Sequence, residues 1–182
     1  YVKANKDKVT MANAGLGAAS HLCGLLFLSA IQTEVTTVPY KGTAPAMNDL
    51  LGGQTDFMCD QTTQTTPYIQ SGRIRAFAIT SKTRVDTLKD LPPAAEAGLP
   101  GFEVSVWHGV YAPKGTPKPV IDKLVAALQA GIADAAFRQK MAELGSVVVS
   151  KDKATPQGLK THLQAEIDKW TPIIRKAGVY AD

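Results

Sequence analysis

The sequence predicts an α/β fold in which a parallel sheet is flanked by helices. Two patterns point to it: short extended runs rich in apolar or β-branched residues alternate with helical runs, and a polar loop follows nearly every extended run. Of the 182 residues, 45% are hydrophobic, which is ample material for a packed core. A chain of this length fits one domain or two small lobes.

The first unit places a glycine-containing loop between a strand and a buried helix. Residues 9–13 are mostly apolar and extended, and they lead into a loop of small residues that contains Gly15 and Gly17. Residues 18–32 then form a helix that is apolar nearly all round. Such a helix is typically buried on more than one side.

Further units repeat this plan along the first half of the chain. Glycines end the predicted helices, and β-branched or apolar residues fill the predicted strands. The expected elements are a strand over 35–38, a loop over 39–43, a helix over 44–51, a strand over 55–59, a loop over 60–63, a helix through Ile69 and a fourth strand over 75–80.

The second half of the sequence is mainly helical. Residues 103–112 form an extended run that is long for a single strand, so we expect it to cross between two lobes as a hinge. Beyond it we expect helices over 117–131 and 134–144, a strand over 146–150, and a last helix that starts at Pro156 and ends at Gly178.

Four loops should share one edge of the predicted sheet. In open parallel sheets, ligands bind outside the carboxyl ends of the strands. The loops expected at that edge span residues 14–21, 39–43, 60–64 and 81–84.

The first of these loops is the main candidate site. N–H groups at the start of a helix have no intrahelical acceptor and lie at the positive end of the helix dipole, so they attract an anion. The expected contacts to a carboxylate are the backbone of Ala14, Gly15, Gly17, Ala18 and Ala19, together with Ser20 and His21.

Two other interpretations of this loop stay open. A plain tight turn that needs glycine at positive φ explains the motif equally well. A dinucleotide-binding fingerprint is less favoured, because Ser20 replaces the third glycine and the acidic Glu34 precedes the next strand instead of ending it.

Tyr40, Lys41 and Asp60 are the candidates for ligand selectivity. Tyr40 and Lys41 lie in the loop after the second strand, where polar side chains beside backbone donors suit a carboxylate. Asp60 follows the third strand at the same edge. The alternatives are a solvated lysine and an aspartate that caps a helix.

An enzymatic alternative would use Ser20 or Cys23 as a nucleophile and His21 as its base. Near neighbours on a helical turn do not face each other, and the sequence places no carboxylate to orient His21, so we favour a non-catalytic protein. Cys23 and Cys59 lie in apolar surroundings without metal-ligand spacing. We therefore predict two buried free thiols, and no metal or other cofactor.

Charge and hydropathy limit the classes of partner that the sequence suits. The formal net charge is +4 with no block of consecutive Lys or Arg, which argues against nucleic acid. The longest apolar run, over 22–31, is shorter than the roughly 20 residues that a membrane span needs. The chain opens with Tyr1-Val2-Lys3 and no apolar signal-peptide core, so we expect no signal peptide within it.

An ordered set of short motifs covers nearly the whole chain. They are Ala14-Gly15-Leu16-Gly17 with Ser20-His21-Leu22, Val38-Pro39-Tyr40-Lys41-Gly42, Asp49-Leu50-Leu51-Gly52-Gly53-Gln54, Ala78-Ile79-Thr80-Ser81, Ala95-Glu96-Ala97-Gly98-Leu99-Pro100-Gly101 and Ala112-Pro113-Lys114-Gly115-Thr116-Pro117. Together they resemble the periplasmic solute-binding receptors of the tripartite tricarboxylate transporters, often called Bug receptors.

This resemblance implies a receptor of the type II periplasmic-binding-protein architecture, two-lobed in the full-length family. Such a receptor closes on a small carboxylate or dicarboxylate in the periplasm and delivers it, without catalysis, to a membrane permease. Residues 1–104 would form one ligand-binding lobe, and residues 105–182 would supply the hinge and the C-terminal helical part of the other.

The family's N-terminal part has no counterpart in this sequence. A half-built lobe exposes apolar surface. We therefore expect that the chain is a piece of a longer protein or that it self-associates.

Overall fold

The sheet consists of three parallel strands with the first strand in the middle. The computed structural model describes residues 1–177. Its strands are β1 (Thr10–Asn13), β2 (Thr36–Pro39) and β3 (Phe57–Met58), in the order β2-β1-β3. β1 pairs with β2 along its whole length, from Thr10 opposite Thr36 to Asn13 opposite Pro39. It pairs with β3 only through Met11 opposite Phe57 and Ala12 opposite Met58.

Six α-helices and two short 3₁₀ helices complete the described part of the chain. The fold class is therefore confirmed as α/β, with a parallel sheet flanked by helices. The helices are α1 (Ala19–Ala30), α2 (Thr43–Leu51), α3 (Thr62–Gln70), α4 (Lys118–Ala133), α5 (Ala135–Glu143) and α6 (Pro156–Ala177), and the 3₁₀ turns span Lys3–Asn5 and Asp86–Leu88. The predicted end of the last helix at Gly178 lies outside the described residues.

The core forms around the central strand. Met11 and Ala12 of β1 are completely buried, and Ala46 and Met47 of α2 join them. A helix side chain at position 24 would collide with Met11, whose Cε lies 2.5 Å from where a Cβ would stand. Gly24 therefore lets α1 pack closely against the Met11 side chain of β1.

Two predicted strands are absent from the described residues. Residues 75–80 form only an isolated bridge between Ile79 and Pro93, and residues 146–150 form no strand. Both segments have β-forming composition, yet a ladder also needs a neighbouring strand in register. Residues 103–112 likewise carry no strand, and Val104 alone among them donates a backbone hydrogen bond, to Thr80.

The two cysteines form a disulfide, so the prediction of free thiols was wrong. Cys23 in α1 is bonded to Cys59 directly after β3, with the two Cα atoms 6.0 Å apart. They are separated by 36 positions in the sequence. The apolar surroundings that suggested buried thiols are real, but the packing of α1 across the sheet is what brings the two sulfurs together.

We find no helix within residues 1–177 that combines the length and the apolar character needed to cross a membrane.

Candidate anion-binding site

Three loops meet at the carboxyl edge of the sheet, as parallel pairing predicts. The loop after β1 is joined to the loop after β2 by two backbone hydrogen bonds: Tyr40 N–H donates to Asn13 O at 2.9 Å, and Gly42 N–H donates to Ala14 O at 3.0 Å. The loop after β3 leaves from the other side of β1 because the strand order is β2-β1-β3. The chain thus reverses direction across the sheet at β1, and such a switch point is where open α/β sheets bind ligands.

The loop after β1 satisfies most of its own backbone donors. Ala14 N–H donates to Ser20 Oγ at 2.9 Å, Gly15 N–H to Asn13 Oδ1 at 3.0 Å and Gly17 N–H to His21 Nδ1 at 3.1 Å. Ala18 N–H donates to Gly15 O at 3.1 Å. These bonds hold the loop in one shape, but they also occupy four of the backbone donors expected to face a ligand.

The free donors lie slightly further along the chain. Within residues 1–177, the N–H groups of Leu16, Ala19, Ser20 and His21 have no hydrogen-bond acceptor. The last three form the first turn of α1, whose N-cap Ala18 offers no side-chain oxygen. The backbone contacts expected at Ala14, Gly15, Gly17 and Ala18 stay predictions. The geometry instead leaves the N–H groups of the first helical turn as the donors that are free to meet a ligand.

All three helices that begin at this edge lack a side-chain cap. α1 starts after Ala18, α2 after Gly42 and α3 after Gln61, and in each case no side chain accepts from the first turn. Away from the edge, α5 is capped by Asp134 Oδ1, which accepts from Phe137 N–H at 2.8 Å, whereas α4 also begins without a side-chain cap, after Pro117. The carboxyl edge therefore gathers three positive helix ends with unsatisfied donors.

Ser20 and His21 are both buried, and both point back to the loop. Only 4% of His21 is exposed, and its burial lowers the pKa of the imidazole below the ordinary 6.5. The ring is therefore neutral at pH 7, with Nδ1 accepting from Gly17 and Nε2 protonated. Ser20 and His21 share no hydrogen bond within residues 1–177, so the structure assembles no nucleophile–base pair from them.

Cys23 cannot serve as a nucleophile while it is bonded to Cys59. The version of the enzymatic alternative that uses Cys23 is therefore not supported by this disulfide-bonded structure.

The three candidate selectivity residues lie in different environments. The Tyr40 hydroxyl donates to Asp49 Oδ2 at 2.7 Å, and this bond raises the pKa of the phenol. Lys41 is exposed and forms no ion pair within the described residues. Asp60 Oδ2 is buried without a hydrogen-bond partner.

Burial also raises the pKa of Asp60. The nearby Gln61 N–H and Thr43 hydroxyl oppose that shift by favouring the ionised carboxylate. The edge therefore combines one carboxyl group, that of Asp60, with three positive helix N-termini.

Two residues at this edge were not singled out from the sequence. Asn13, at the end of β1, is 1% exposed; its Oδ1 fixes Gly15, whereas its Nδ2 is a buried donor with no partner in the described part of the chain. Asp49 orients the Tyr40 hydroxyl from α2. A polar residue at the end of an otherwise buried strand could have drawn attention to Asn13, but no sequence pattern relates Asp49 to Tyr40.

The edge opens into a cleft of about 1530 Å³. Of the predicted site residues, five line it: Ala14, Ala18, Ala19, Ser20 and Asp60. Gly15, Gly17, His21, Tyr40 and Lys41 do not line this cleft, and Gly17 lines a smaller, separate cavity. Ser81, Thr83 and Arg84 of the fourth predicted loop also line the cleft. Among the described residues, no group of three or more His, Cys, Asp or Glu side chains could hold a metal ion.

Comparison with known proteins places the chain in a family. The family model described as "Tripartite tricarboxylate transporter family receptor" matches residues 1–179. The "UPF0065 protein in the TAR-I ttuE-ttuC' intergenic region" of Agrobacterium vitis is 46% identical over 177 residues, which cover 97% of this chain and 51% of that protein. The chain thus spans about half the length of this curated relative.

Two solved structures share the fold closely. The periplasmic binding protein BugD superposes with a TM-score of 0.95 at 54% identity, covering 100% of this chain and 60% of that one. MatC from Rhodopseudomonas palustris, solved with bound malate, has a TM-score of 0.91 at 36% identity over 96% of this chain and 59% of that one. The chain belongs to the tripartite tricarboxylate transporter receptor family, and its fold is that of part of a periplasmic binding protein.

Proposed function

We propose that this chain forms the carboxylate-binding edge of a periplasmic solute receptor, which captures a small carboxylate or dicarboxylate for a tripartite tricarboxylate transporter and does not transform it. One observation carries the proposal. The helices α1, α2 and α3 all begin, without side-chain caps, at the carboxyl edge of one parallel sheet.

The free donors favour an anionic ligand of small size. Three N–H groups in the first turn of α1 have no acceptor within residues 1–177, and Ala19 and Ser20 line the cleft. A carboxylate has two oxygens that can each accept more than one N–H. Charge-assisted bonds of this kind are about twice as strong as neutral ones. The malate bound by MatC is an anion of this class.

Tyr40, Lys41 and Asp60 are proposed to set selectivity. Lys41 adds a solvent-exposed positive charge beside the edge, and the Tyr40 hydroxyl donates to Asp49. Asp60 works against indiscriminate anion binding, since an ionised carboxylate repels the ligand unless it is protonated or bridged by a donor. The edge would thus favour an anionic ligand that also carries a hydrogen-bond donor for the Asp60 carboxylate.

A charge placed at the helix end tests the site. The variant Ala19→Glu puts a carboxylate at the first position of α1, where acidic residues stabilise a helix and should not unfold it. At about 4 Å and an effective dielectric of about 20, repulsion of a bound carboxylate amounts to about 4 kcal/mol. We expect at least a tenfold loss of malate affinity by isothermal titration calorimetry.

The matched control is Ala135→Glu. Ala135 is also exposed and also occupies the first position of a helix, α5, but it does not line the cleft. This variant should bind malate within twofold of the unaltered chain. Absence of malate binding by the folded, unaltered chain, or equal losses in both variants, would refute the proposed site.

Non-catalytic behaviour has its own test. The hydroxyl of Ser20 and the imidazole of His21 are occupied as acceptors of loop N–H groups. We therefore expect no hydrolysis of activated esters above the rate of a Ser20→Ala variant. Turnover that disappears on this substitution would favour the enzymatic alternative.

Delivery of the ligand to a membrane permease is part of the same proposal, and its basis is the chain's membership of the receptor family.

Self-association stays a prediction that exposed apolar side chains support. Val106, Val110 and Tyr111 are 42%, 61% and 60% exposed, and Val147 is 94% exposed. Sedimentation velocity over a hundredfold range of concentration should show a rising sedimentation coefficient. A constant monomer value would contradict it.

A further inference from the structure

The Cys23–Cys59 disulfide joins the two sides of the proposed binding edge. Cys23 lies one helical turn beyond Ser20 in α1, on the helix whose first turn carries the free N–H groups. Cys59 is followed directly by Asp60, whose carboxylate lines the cleft. The bond therefore links a selectivity residue to the helix end that would hold the ligand.

Non-covalent contacts hold the backbone on both sides of Asp60: Asp56 N–H donates to Thr10 O at 3.1 Å, and the Thr62 hydroxyl donates to Gly145 O at 2.9 Å. β3 contains two residues, pairs only with β1, and stands at the end of the strand order. Phe57 adds an edge-to-face contact with Phe27 of α1 at a ring distance of 6.0 Å, but this contact precedes Asp60 by three positions. The disulfide is the covalent attachment nearest to Asp60.

One oxygen of the Asp60 carboxylate is held in an unfavourable environment. Its Oδ2 is buried without a partner in residues 1–177. A buried acceptor without a partner is unfavourable, so a freely moving segment would turn this carboxylate towards water. The disulfide at the preceding residue restrains the backbone from which this carboxylate extends.

We propose that the Cys23–Cys59 disulfide is a positioning element of the ligand site: it holds Asp60 at a set distance from the first turn of α1, and ligand affinity depends on it through Asp60. This inference rests on the proposed carboxylate-binding function. It assigns the bond a role in recognition beyond the general stabilisation that a cross-link provides.

A double-mutant cycle on malate binding separates the two roles. The double variant Cys23→Ser/Cys59→Ser is compared with the unaltered chain, and the same pair of changes is made in an Asp60→Asn background. All titrations are done well below the melting temperature of each variant. We expect at least a fivefold change in malate affinity in the first comparison and less than twofold in the second.

A purely structural role would give the same change in both backgrounds, and that result would overturn the proposal. No change in either background would overturn it as well. Should the double variant fail to fold, the oxidised chain and its Asp60→Asn variant are instead treated with a phosphine. This reagent converts the disulfide to two thiols while it becomes a phosphine oxide with oxygen from water.

A second readout does not require ligand. ¹⁵N relaxation order parameters of Asp60 and Gln61 should fall when the bond is absent, while those of β1 stay unchanged. If the unaltered chain binds no malate, the proposed function fails, and the order parameters alone then decide whether the bond positions Asp60. Unchanged order parameters at both residues would reject the inference.

Discussion

Replacing Gly15 by alanine tests the shape of the loop at the proposed site. Gly15 has φ of 122°, a conformation that side chains strongly disfavour, and a Cβ there would lie 3.1 Å from Tyr40 O. A backbone position of this kind costs about 1–3 kcal/mol for a residue other than glycine. Since Tyr40 belongs to the neighbouring loop, the collision would also push the two loops apart.

Gly17→Ala is the matched control, two positions along the same loop. Gly17 has φ of 75°, close to the left-handed helical region, and nothing lies within 4 Å of its virtual Cβ. Its substitution should cost only about 1 kcal/mol. We expect Gly15→Ala to cost about 3 kcal/mol, the extra amount arising from the more strained φ and from the Tyr40 contact.

Urea unfolding followed by tryptophan fluorescence measures both costs. A chain of this size loses about 2–4 °C of melting temperature per kcal/mol, so calorimetry should find Gly15→Ala about 4–8 °C below Gly17→Ala. Gly15→Ala should also bind malate more weakly, because the loop and the start of α1 move together. Equal stability of the two variants would refute the described loop geometry.

Three further substitutions probe the core, the acid at the edge and a helix cap. Gly24→Ala should lower stability by about 1–2 kcal/mol in urea unfolding, because its Cβ would overpack the buried Met11 while the gain in helix propensity offsets only part of the cost. Burial raises the pKa of Asp60, so the folded state binds that proton more tightly than the unfolded state, and the carboxylate destabilises the fold at pH 7. Asp60→Asn should therefore raise the melting temperature at pH 7, and this advantage should diminish as the pH falls through the raised pKa towards the ordinary 3.8, whereas the exposed Asp90→Asn should change the melting temperature little. Asp134→Ala removes the cap of α5 and should cost about 1 kcal/mol by the same urea measurement, which Asp134→Asn should largely restore.

Elements specified by local patterns were predicted well. The strand expected over residues 9–13 and the helix expected over 18–32 correspond to β1 and α1, with boundaries that differ by one or two residues. The cap at Asp134 was likewise readable, since an N-cap depends on bonds within four residues. Periodicity and capping depend on residues that are close in the sequence, so the sequence pattern predicts them.

Features that depend on distant partners were predicted poorly. The segments over 75–80 and 146–150 have β-forming residues but no neighbouring strand in register within residues 1–177. The disulfide depends on how α1 crosses the sheet, which a separation of 36 positions does not reveal. In both cases tertiary placement decided against the outcome that the local sequence favoured.

The internal hydrogen bonds of the loop explain why Ser20 and His21 resemble a catalytic pair without forming one. An isolated helix N-terminus after a glycine-containing turn has more free donors than it can hold in a fixed geometry. Here Ser20 accepts from Ala14 and His21 accepts from Gly17, so two side chains consume the donors that precede the helix. The donors of the first helical turn then remain free beside a loop that its own hydrogen bonds hold in one shape, which would lower the entropy lost if an anion binds as proposed. Hydroxyl and imidazole at these positions thus act as acceptors that shape the loop, and the backbone supplies the donors that face the cleft.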